Sequence, residues 1–343
     1  MVVRLADVAK EAGVSQATAS RVLNGSSRKP AEVIADRVRE AAERLGYFPN
    51  AQAQALARSS AGLVGLIVHD IADPYFSSIA RGVQHGLAGT GYQLLLSSTD
   101  RDGEAELAAV RAFMSHRTDG ILLAGSRGLE DDDVLAAAIG RYQDNGGRVA
   151  MIGQPLPGAG GIEVDNAGAA GLLADELLGL GHRRFAVLAG DSSLVTARDR
   201  VEGFVGRLRE AGFEPEAVLE GAFTRDGGHA SLRELLEALP VGAGAEQLCV
   251  FCANDVMVLG ALTALREAGL RVPDDVAIAG FDDIPTLADM HPSISTVRLP
   301  LEEMGRSAGE LILAVAGVGE RSVVVGEPVL RESTARVERR ATA

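Results

Sequence analysis

No uninterrupted apolar run in the 343-residue sequence approaches the roughly 20 residues that a membrane-spanning helix requires, although apolar residues make up 47% of the chain. No secretory leader is legible at the start: Met1-Val2-Val3-Arg4-Leu5-Ala6-Asp7 meets a charge before an apolar stretch develops, so a cytoplasmic protein is expected. Cysteine is scarce. The two present, Cys249 and Cys252, have C-x-x-C spacing, but they sit in a β-like run, where residues three apart point to opposite faces. That placement disfavours a disulfide and reads as two buried apolar thiols. The six histidines are scattered, with no pair at H-x-x-x-H spacing, so neither a metal site nor a cofactor is expected. Catalytic motifs are missing too. Gly158-Ala159-Gly160-Gly161-Ile162-Glu163 fails G-x-G-x-x-G at its last position, and neither G-x-x-x-x-G-K-[ST] nor G-x-S-x-G occurs, so an enzyme is not expected.

What is present is an asymmetry of charge. The net charge of −14 argues against nucleic acid as a partner, yet residues 1–60 hold nine Lys or Arg against six Asp or Glu, which is +3 and leaves −17 for the remainder. A small basic head on an acidic body suits a protein that touches DNA with one end and repels it with the other.

The head reads as three short helices. Leu5, Val8 and Ala9 give the first an apolar stripe, Gly13-Val14-Ser15 breaks it, and Ser15 is a good N-cap for a second helix running to about Leu23. A third is expected over roughly Ala31 to Leu45, with Val33, Val38, Ala41, Ala42 and Leu45 inward and Gly46 ending it. The spacing from Val8-Ala9 through Gly13-Val14-Ser15 to Thr18-Ala19-Ser20-Arg21-Val22-Leu23 is that of a helix-turn-helix, which places Gln16, Ala17 and Arg21 at the exposed start of the second helix, where major-groove contacts are made. From Gly62 onward, short apolar strands alternate with amphipathic helices, implying parallel sheets covered on both faces. About a dozen strands are too many for one sheet, so two doubly wound lobes are expected. Asp73, Phe76, Asp165, Arg200, Asn254 and Asp282 fall near strand ends, where open α/β sheets bind ligands. Carboxylates and an amide that accept from hydroxyls, an arginine that donates bidentately and an aromatic platform suit a hydroxyl-rich solute such as a sugar. Gln154 and Thr196 are weaker members of the set.

Ordered motifs then give a specific resemblance. Leu5 through Asn24, Leu45-Gly46-Tyr47-Phe48-Pro49-Asn50, Asp73-Pro74-Tyr75-Phe76, Asp119-Gly120-Ile121, Val164-Asp165-Asn166, Arg200-Val201-Glu202-Gly203-Phe204, Ala253-Asn254-Asp255 and Gly280-Phe281-Asp282-Asp283 occur in sequence. The chain thereby resembles the lactose/galactose-repressor family of bacterial transcription regulators. The resemblance implies an α/β chain: an N-terminal helix-turn-helix at 1–48, a hinge at 49–60, and a two-lobed periplasmic-binding-protein-like body. Its first lobe would comprise 61–162 and 293–321, and its second 163–292 and 322–343. It implies DNA contacts at Ser15, Gln16, Ala17, Thr18, Arg21, Asn24 and Asn50. Paired hinge helices would enter the minor groove with Leu56 wedged between base pairs, the alternative being a flexible Ala-rich linker. Operator DNA, a small sugar-like effector and a second copy of the chain are the expected partners. Val337-Glu338-Arg339-Arg340 offers no apolar heptads for a tetramer. A solute-binding protein of the transport type and a sugar-processing enzyme are the alternatives.

The head departs from the family pattern in four places. Arg4 stands where a Thr usually caps the first helix, Ala19 replaces a usual Val, Ile34-Ala35 replace a usual Thr-Arg pair, and the loop from Gly25 to Pro30 is one residue longer than the family pattern. These changes leave fewer side-chain donors for DNA phosphates, with Arg28 and Lys29 as compensating charges.

Overall fold

The computed structural model describes residues 3–24, 30–48, 60–128, 132–154, 158–242, 246–314 and 321–335. Two compact units emerge, one of residues 1–63 with 116–119 and one of 64–115 with 120–343.

In the first unit, helices α1 (Leu5–Glu11), α2 (Gln16–Asn24) and α3 (Glu32–Leu45) enclose a core of small side chains: Val8, Ala9, Ala12, Ala19, Val38, Ala41 and Ala42. The Ser15 hydroxyl accepts from the Thr18 amide at 3.1 Å and so caps α2. At α1 only half of a capping box forms. The Asp7 carboxylate accepts from the Arg4 amide at 2.8 Å, but arginine has no acceptor to return the bond. Gly46, left-handed at φ 64°, ends α3. Two expectations change on α3. Val33 is 72% exposed, and Ala35 is buried in the core. The inward face therefore runs through Ala35, Val38, Ala41 and Ala42, at i, i+3, i+6 and i+7, and Val33 falls off it. Ala35 is a packing residue here, not a surface position facing phosphate. Asn50, Leu56, Arg28 and Lys29 lie outside the described residues.

The second unit carries, in chain order, strands β1 (Leu63–Val68), β2 (Gln93–Ser98), β3 (Gly120–Gly125), β4 (Arg148–Gly153), β5 (Gly160–Val164), β6 (Arg184–Gly190), β7 (Ala217–Glu220), β8 (Leu248–Cys252), β9 (Val276–Ala279), β10 (Thr296–Arg298), β11 (Arg321–Val324) and β12 (Glu327–Val329). Between them run α4 (Pro74–Leu87), α5 (Gly103–Ser115), α6 (Asp132–Asp144), α7 (Asn166–Gly179), α8 (Val195–Glu210), α9 (Arg225–Ala238), α10 (Asp255–Glu267) and α11 (Leu301–Leu313). One sheet has the order β11-β5-β4-β3-β1-β2 and the other β7-β6-β8-β9, while β10 and β12 form an antiparallel pair. Within each sheet the order repeats one scheme, a first strand flanked by the second and the third, as in doubly wound folds. The strands read as apolar runs because both faces are covered: every residue of β3 and of β8 is buried. Cys249 and Cys252 are free thiols that join different hydrophobic clusters, consistent with opposite faces of β8.

The chain passes between lobes three times. β5 stays paired in the first sheet through Val164 and β11 through Val324, each past the crossings expected at 162 and 321. The segment entering β10 keeps to the second lobe: Gly280 donates to the Ser295 carbonyl at 2.9 Å, and α11 is the first element after it to pack on α4. The middle crossing thus follows Arg298 instead of Pro292. The α4·α11 contact is close enough that a Cβ on Gly82 would fall 2.0 Å from the Glu302 carbonyl oxygen and one on Gly305 2.2 Å from that of Ile79.

Candidate effector cleft and DNA-reading head

Both sheets aim their carboxyl ends at one cleft, lined by residues that follow β1, β2 and β3 of the first lobe and β5, β6, β7, β8 and β9 of the second. These include the two points where each strand order reverses, β1/β3 and β6/β8, which is where doubly wound sheets hold ligands. Asp73, Phe76, Arg200, Asn254 and Asp282 all line it, as does Thr196. Asp165 does not. Its exposed side chain caps α7 by accepting from the Gly168 amide at 2.9 Å, and the next residue, Asn166, faces the cleft instead. Gln154 sits behind the wall, accepting from the Arg127 amide at 2.7 Å and from the Ser126 hydroxyl at 3.5 Å.

The second lobe presents a finished network. Arg200, 2% exposed, donates from Nε to Asn166 Oδ1 at 2.8 Å, from Nη1 to the Ala253 carbonyl at 2.9 Å and from Nη2 to Asp282 Oδ1 at 2.8 Å, with its guanidinium 3.9 Å over the Phe281 ring. Burial pushes the Asp282 carboxyl up to about 6, Arg200 pulls it back, and Asp73 adds to the rise. Asp282 holds a left-handed backbone (φ 122°), an unusual conformation for a residue with a side chain. Asn254 caps α10: its Oδ1 accepts from the Met257 amide at 2.8 Å, and its Nδ2 donates to the Phe223 carbonyl at 3.4 Å.

The first lobe is less complete. Asp73 caps α4, accepting from the Tyr75 amide at 2.9 Å, and burial raises its pKa. Arg101 follows β2 on consecutive left-handed residues, Asp100 (φ 51°) and Arg101 (φ 63°), which is strained for non-glycine residues. Its guanidinium lies 5.7 Å from the Phe223 ring centre, and its Nε is buried without a hydrogen-bond partner. Burial lowers its pKa, against the pull of Asp73 and Asp70. His69 packs edge-on to Phe76 at 5.5 Å; its Nε2 meets the Ser126 carbonyl at 2.7 Å, and burial holds its pKa near 4, so the ring is neutral. Across the cleft, the Thr196 amide donates to the Ser126 hydroxyl at 3.1 Å and Gly128 bridges Leu194, so the two walls touch directly. Tyr75, Arg101, Ser126, Asn166 and Phe223 are lining residues that the sequence reading missed. The D-P-Y-F run pointed to Tyr75 and the Asp165-Asn166 pair to Asn166, but Arg101 and Phe223 sit in segments with no periodic signal.

On the head, Ser15, Gln16, Ala17 and Arg21 are exposed and Thr18 is half-buried, while Ala19 is fully buried. Helix α2 thus offers Gln16, Ala17 and Arg21 to solvent along its outer face and packs inward through Ala19, Val22 and Leu23. Arg37 on α3 closes the turn before α2, donating to the Ala12 carbonyl at 2.6 Å.

Comparison with known proteins covers both units. Residues 4–50 match the family described as "Bacterial regulatory proteins, lacI family", and residues 174–339 match a periplasmic binding protein-like domain. The regulator reg1 of Streptomyces lividans is 34% identical over 98% of this chain and 97% of its own length, and GalR of Escherichia coli K12 is 34% identical over 90% and 88%. Among solved structures, a lac repressor dimer bound to operator and the anti-inducer ONPF superposes with a TM-score of 0.84 at 27% identity, covering 98% of this chain and all of that one. A complex of the regulator CelR with cellobiose gives 0.69 at 32% identity, covering 96% of this chain and 99% of that one. With a helix-turn-helix head and a two-lobed α/β body matched along nearly its whole length, the chain is a transcription regulator that belongs to the lacI family.

Proposed function

We propose that this regulator is a cytoplasmic homodimeric repressor. In this reading its head, residues 1–48, binds a palindromic operator and its two lobes close on a small hydroxyl-rich effector, such as a sugar. The hinge occupies 49–60, with Leu56 as the minor-groove wedge. The first lobe takes in the body up to β5 together with α11 and β11, and the second the remainder. Ser15, Gln16, Ala17, Thr18, Arg21, Asn24 and Asn50 serve operator contact. Asp73, Phe76, Arg101, Asn166, Thr196, Arg200, Phe223, Asn254 and Asp282 serve the effector. Regulation, not catalysis, is the role that this cleft supports, and an intact head distinguishes the chain from a transport-type solute-binding protein.

The observation that carries the effector reading is the contrast between Arg200, each of whose three nitrogens already donates to a protein acceptor, and Arg101, which reaches the cleft with a buried Nε unpartnered beside the Phe223 face. A buried donor without a partner is costly, and a hydroxyl of a bound sugar satisfies it while a pyranose face packs on Phe223 and Phe76. A thermal-shift panel of mono- and disaccharides tests this, because a ligand at a hundred times its Kd adds about 2.7 kcal/mol of stability. One sugar raising the melting temperature by several degrees, and altering affinity for a duplex selected by the chain, is the expected result. A panel without any shift counts against a sugar effector.

A further inference from the structure

The loop after β9 carries two neighbouring carboxylates with different partners. Asp282 lines the cleft and pairs with Arg200, whereas Asp283 is not a lining residue and is held by two other arginines. Arg298 Nε donates to Asp283 Oδ2 at 2.7 Å, and Arg331 Nη2 lies 2.7 Å from Asp283 Oδ1. Consecutive left-handed residues, Asp282 at φ 122° and Asp283 at φ 56°, make the turn that separates the two side chains, a backbone that is costly without glycine. The Asp283 side chain is 9% exposed, so these pairs are little screened by solvent. Hydrogen bonds between charged groups are about twice as strong as neutral ones.

The two arginines stand where the chain changes lobes. Arg298 is the last residue of β10, and α11 of the first lobe begins at Leu301; on the way back, β11 of the first sheet ends at Val324 and Arg331 follows β12. β10 and β12 pair antiparallel with Arg298 opposite Glu327, so the departing and the returning crossing leave one ribbon side by side. The ribbon is closely packed: a Cβ on Gly326 would lie 2.5 Å from Val297 Cγ1. Main-chain bonds fasten its β10 side to the loop, the Asp282 amide donating to the Val297 carbonyl at 2.8 Å and the Leu299 amide to the Asp282 carbonyl at 3.3 Å. Asp283 extends that fastening to the β12 side through Arg331, which also donates from Nη1 to the Ile294 carbonyl at 2.8 Å.

We propose that Asp283 is a positioning residue for the cleft: by pinning both crossings to the loop that carries Asp282, it sets the arrangement that the two lobes take about the cleft. Its value for regulation rests on the effector reading above, because an effector shifts the lobes only by its unequal affinity for their arrangements. Domain rotation concentrates its backbone change in a few residues. Leu299-Pro300 and Val325-Gly326 are the short links between the ribbon and the first lobe. With the ribbon held to the loop, turning at these links moves the first lobe relative to Asp282 as one body. With the ribbon released, the first lobe changes its spacing from the second while Asp282 stays in place.

The test needs no sugar. Spin labels on Ala112→Cys of α5 and Glu234→Cys of α9, both exposed, report the spacing of the lobes in the full chain, with labelled chains diluted among unlabelled ones; Cys249 and Cys252 are fully buried and stay unlabelled. One narrow distance distribution is expected from the otherwise unaltered chain and a broad one from Asp283→Asn, with exchange at the Asp282 and Leu299 amides faster by about tenfold or more. Arg298→Gln combined with Arg331→Gln should match Asp283→Asn, since both act through one carboxylate. Glu216→Gln removes the charge of the Arg184 partner, which lies on the second lobe away from the crossings, and should leave the distribution narrow whatever it does to the melting temperature. A distribution that Asp283→Asn leaves unchanged, one that Glu216→Gln broadens equally, or one already broad in the unaltered chain overturns the proposal. Should Asp283→Asn fail to fold, Arg298→Gln, at a half-exposed side chain, decides by the same comparison. A sugar panel without any shift fails the effector reading, whereas the spacing of the lobes is measured without a ligand and decides this inference separately.

Discussion

The two lobes face the same cleft with opposite degrees of completion. The second supplies an arginine whose three donor groups all find protein acceptors, a carboxylate paired with it and an asparagine used at both ends of its amide. The first supplies a strained arginine with an unpartnered Nε and a capping aspartate raised by burial. Groups already satisfied set the shape of a site, and groups left wanting set what it selects. This division assigns Arg200 and Asp282 mainly to building the second lobe and Arg101 to reading the ligand.

The largest effect should come from breaking the finished side. Arg200→Ala leaves Asp282 buried without its partner, a loss of about 3–5 kcal/mol, so the variant should melt well below the unaltered chain and lose effector binding as well. Equal melting temperatures would show that the network is not structural. The unfinished side should behave the other way. Arg101→Ala removes a desolvated, strained charge, so melting without effector should stay the same or rise, while affinity for the sugar found in the panel falls about tenfold or more. Titration calorimetry beside the melting curve separates the two quantities, and parallel losses in both would erase the contrast.

Acidity sharpens the same comparison by a smaller amount. The folded-state pKa of Asp282, about 6, lies above its ordinary value of 3.8, so the folded chain takes up this proton more readily than the unfolded chain. Its contribution to stability is full below the ordinary carboxylate value and is lost as pH rises through about 6. Asparagine does not titrate. The melting-temperature gap between the unaltered chain and Asp282→Asn should therefore move in favour of the unaltered chain as pH falls from 7 to 5, and a gap independent of pH would contradict the assignment. The smallest effect belongs to one exposed position of the head. Val33→Ser, at an exposed position, should change stability by less than about 0.5 kcal/mol, whereas Ala35→Asp should destabilise the head strongly by burying a charge in an alanine-lined core.

Much of this arrangement was legible because the signals are local. Strand-helix alternation announces a parallel sheet, and residues just past strand ends, such as Asp73, Asn254 and Asp282, fall at the cleft by topology alone. Arg101 and Phe223 were not legible, since nothing near them in sequence reveals that they meet across the gap between lobes. Asp165 misled for a related reason. A carboxylate after a strand either faces a ligand or caps the next helix, and only the position of Gly168 shows that it caps. On α3 the sequence places Val38, Ala41 and Ala42 inward but also the larger Val33 in place of Ala35, because in the first turn the buried position is an alanine too small to stand out beside a valine.

Strand β11 joins the first sheet beside β5 although many residues and the whole second sheet separate the two in the chain. During synthesis, all four strands of the second sheet have emerged by Ala279, while the first sheet waits for Val324. The lobe begun first is therefore finished last, and the β5 edge stays open on the ribosome throughout, an unpaired template of the kind that recruits wrong partners. A chain that stalls between these points holds a complete second sheet beside a first sheet with one exposed flank.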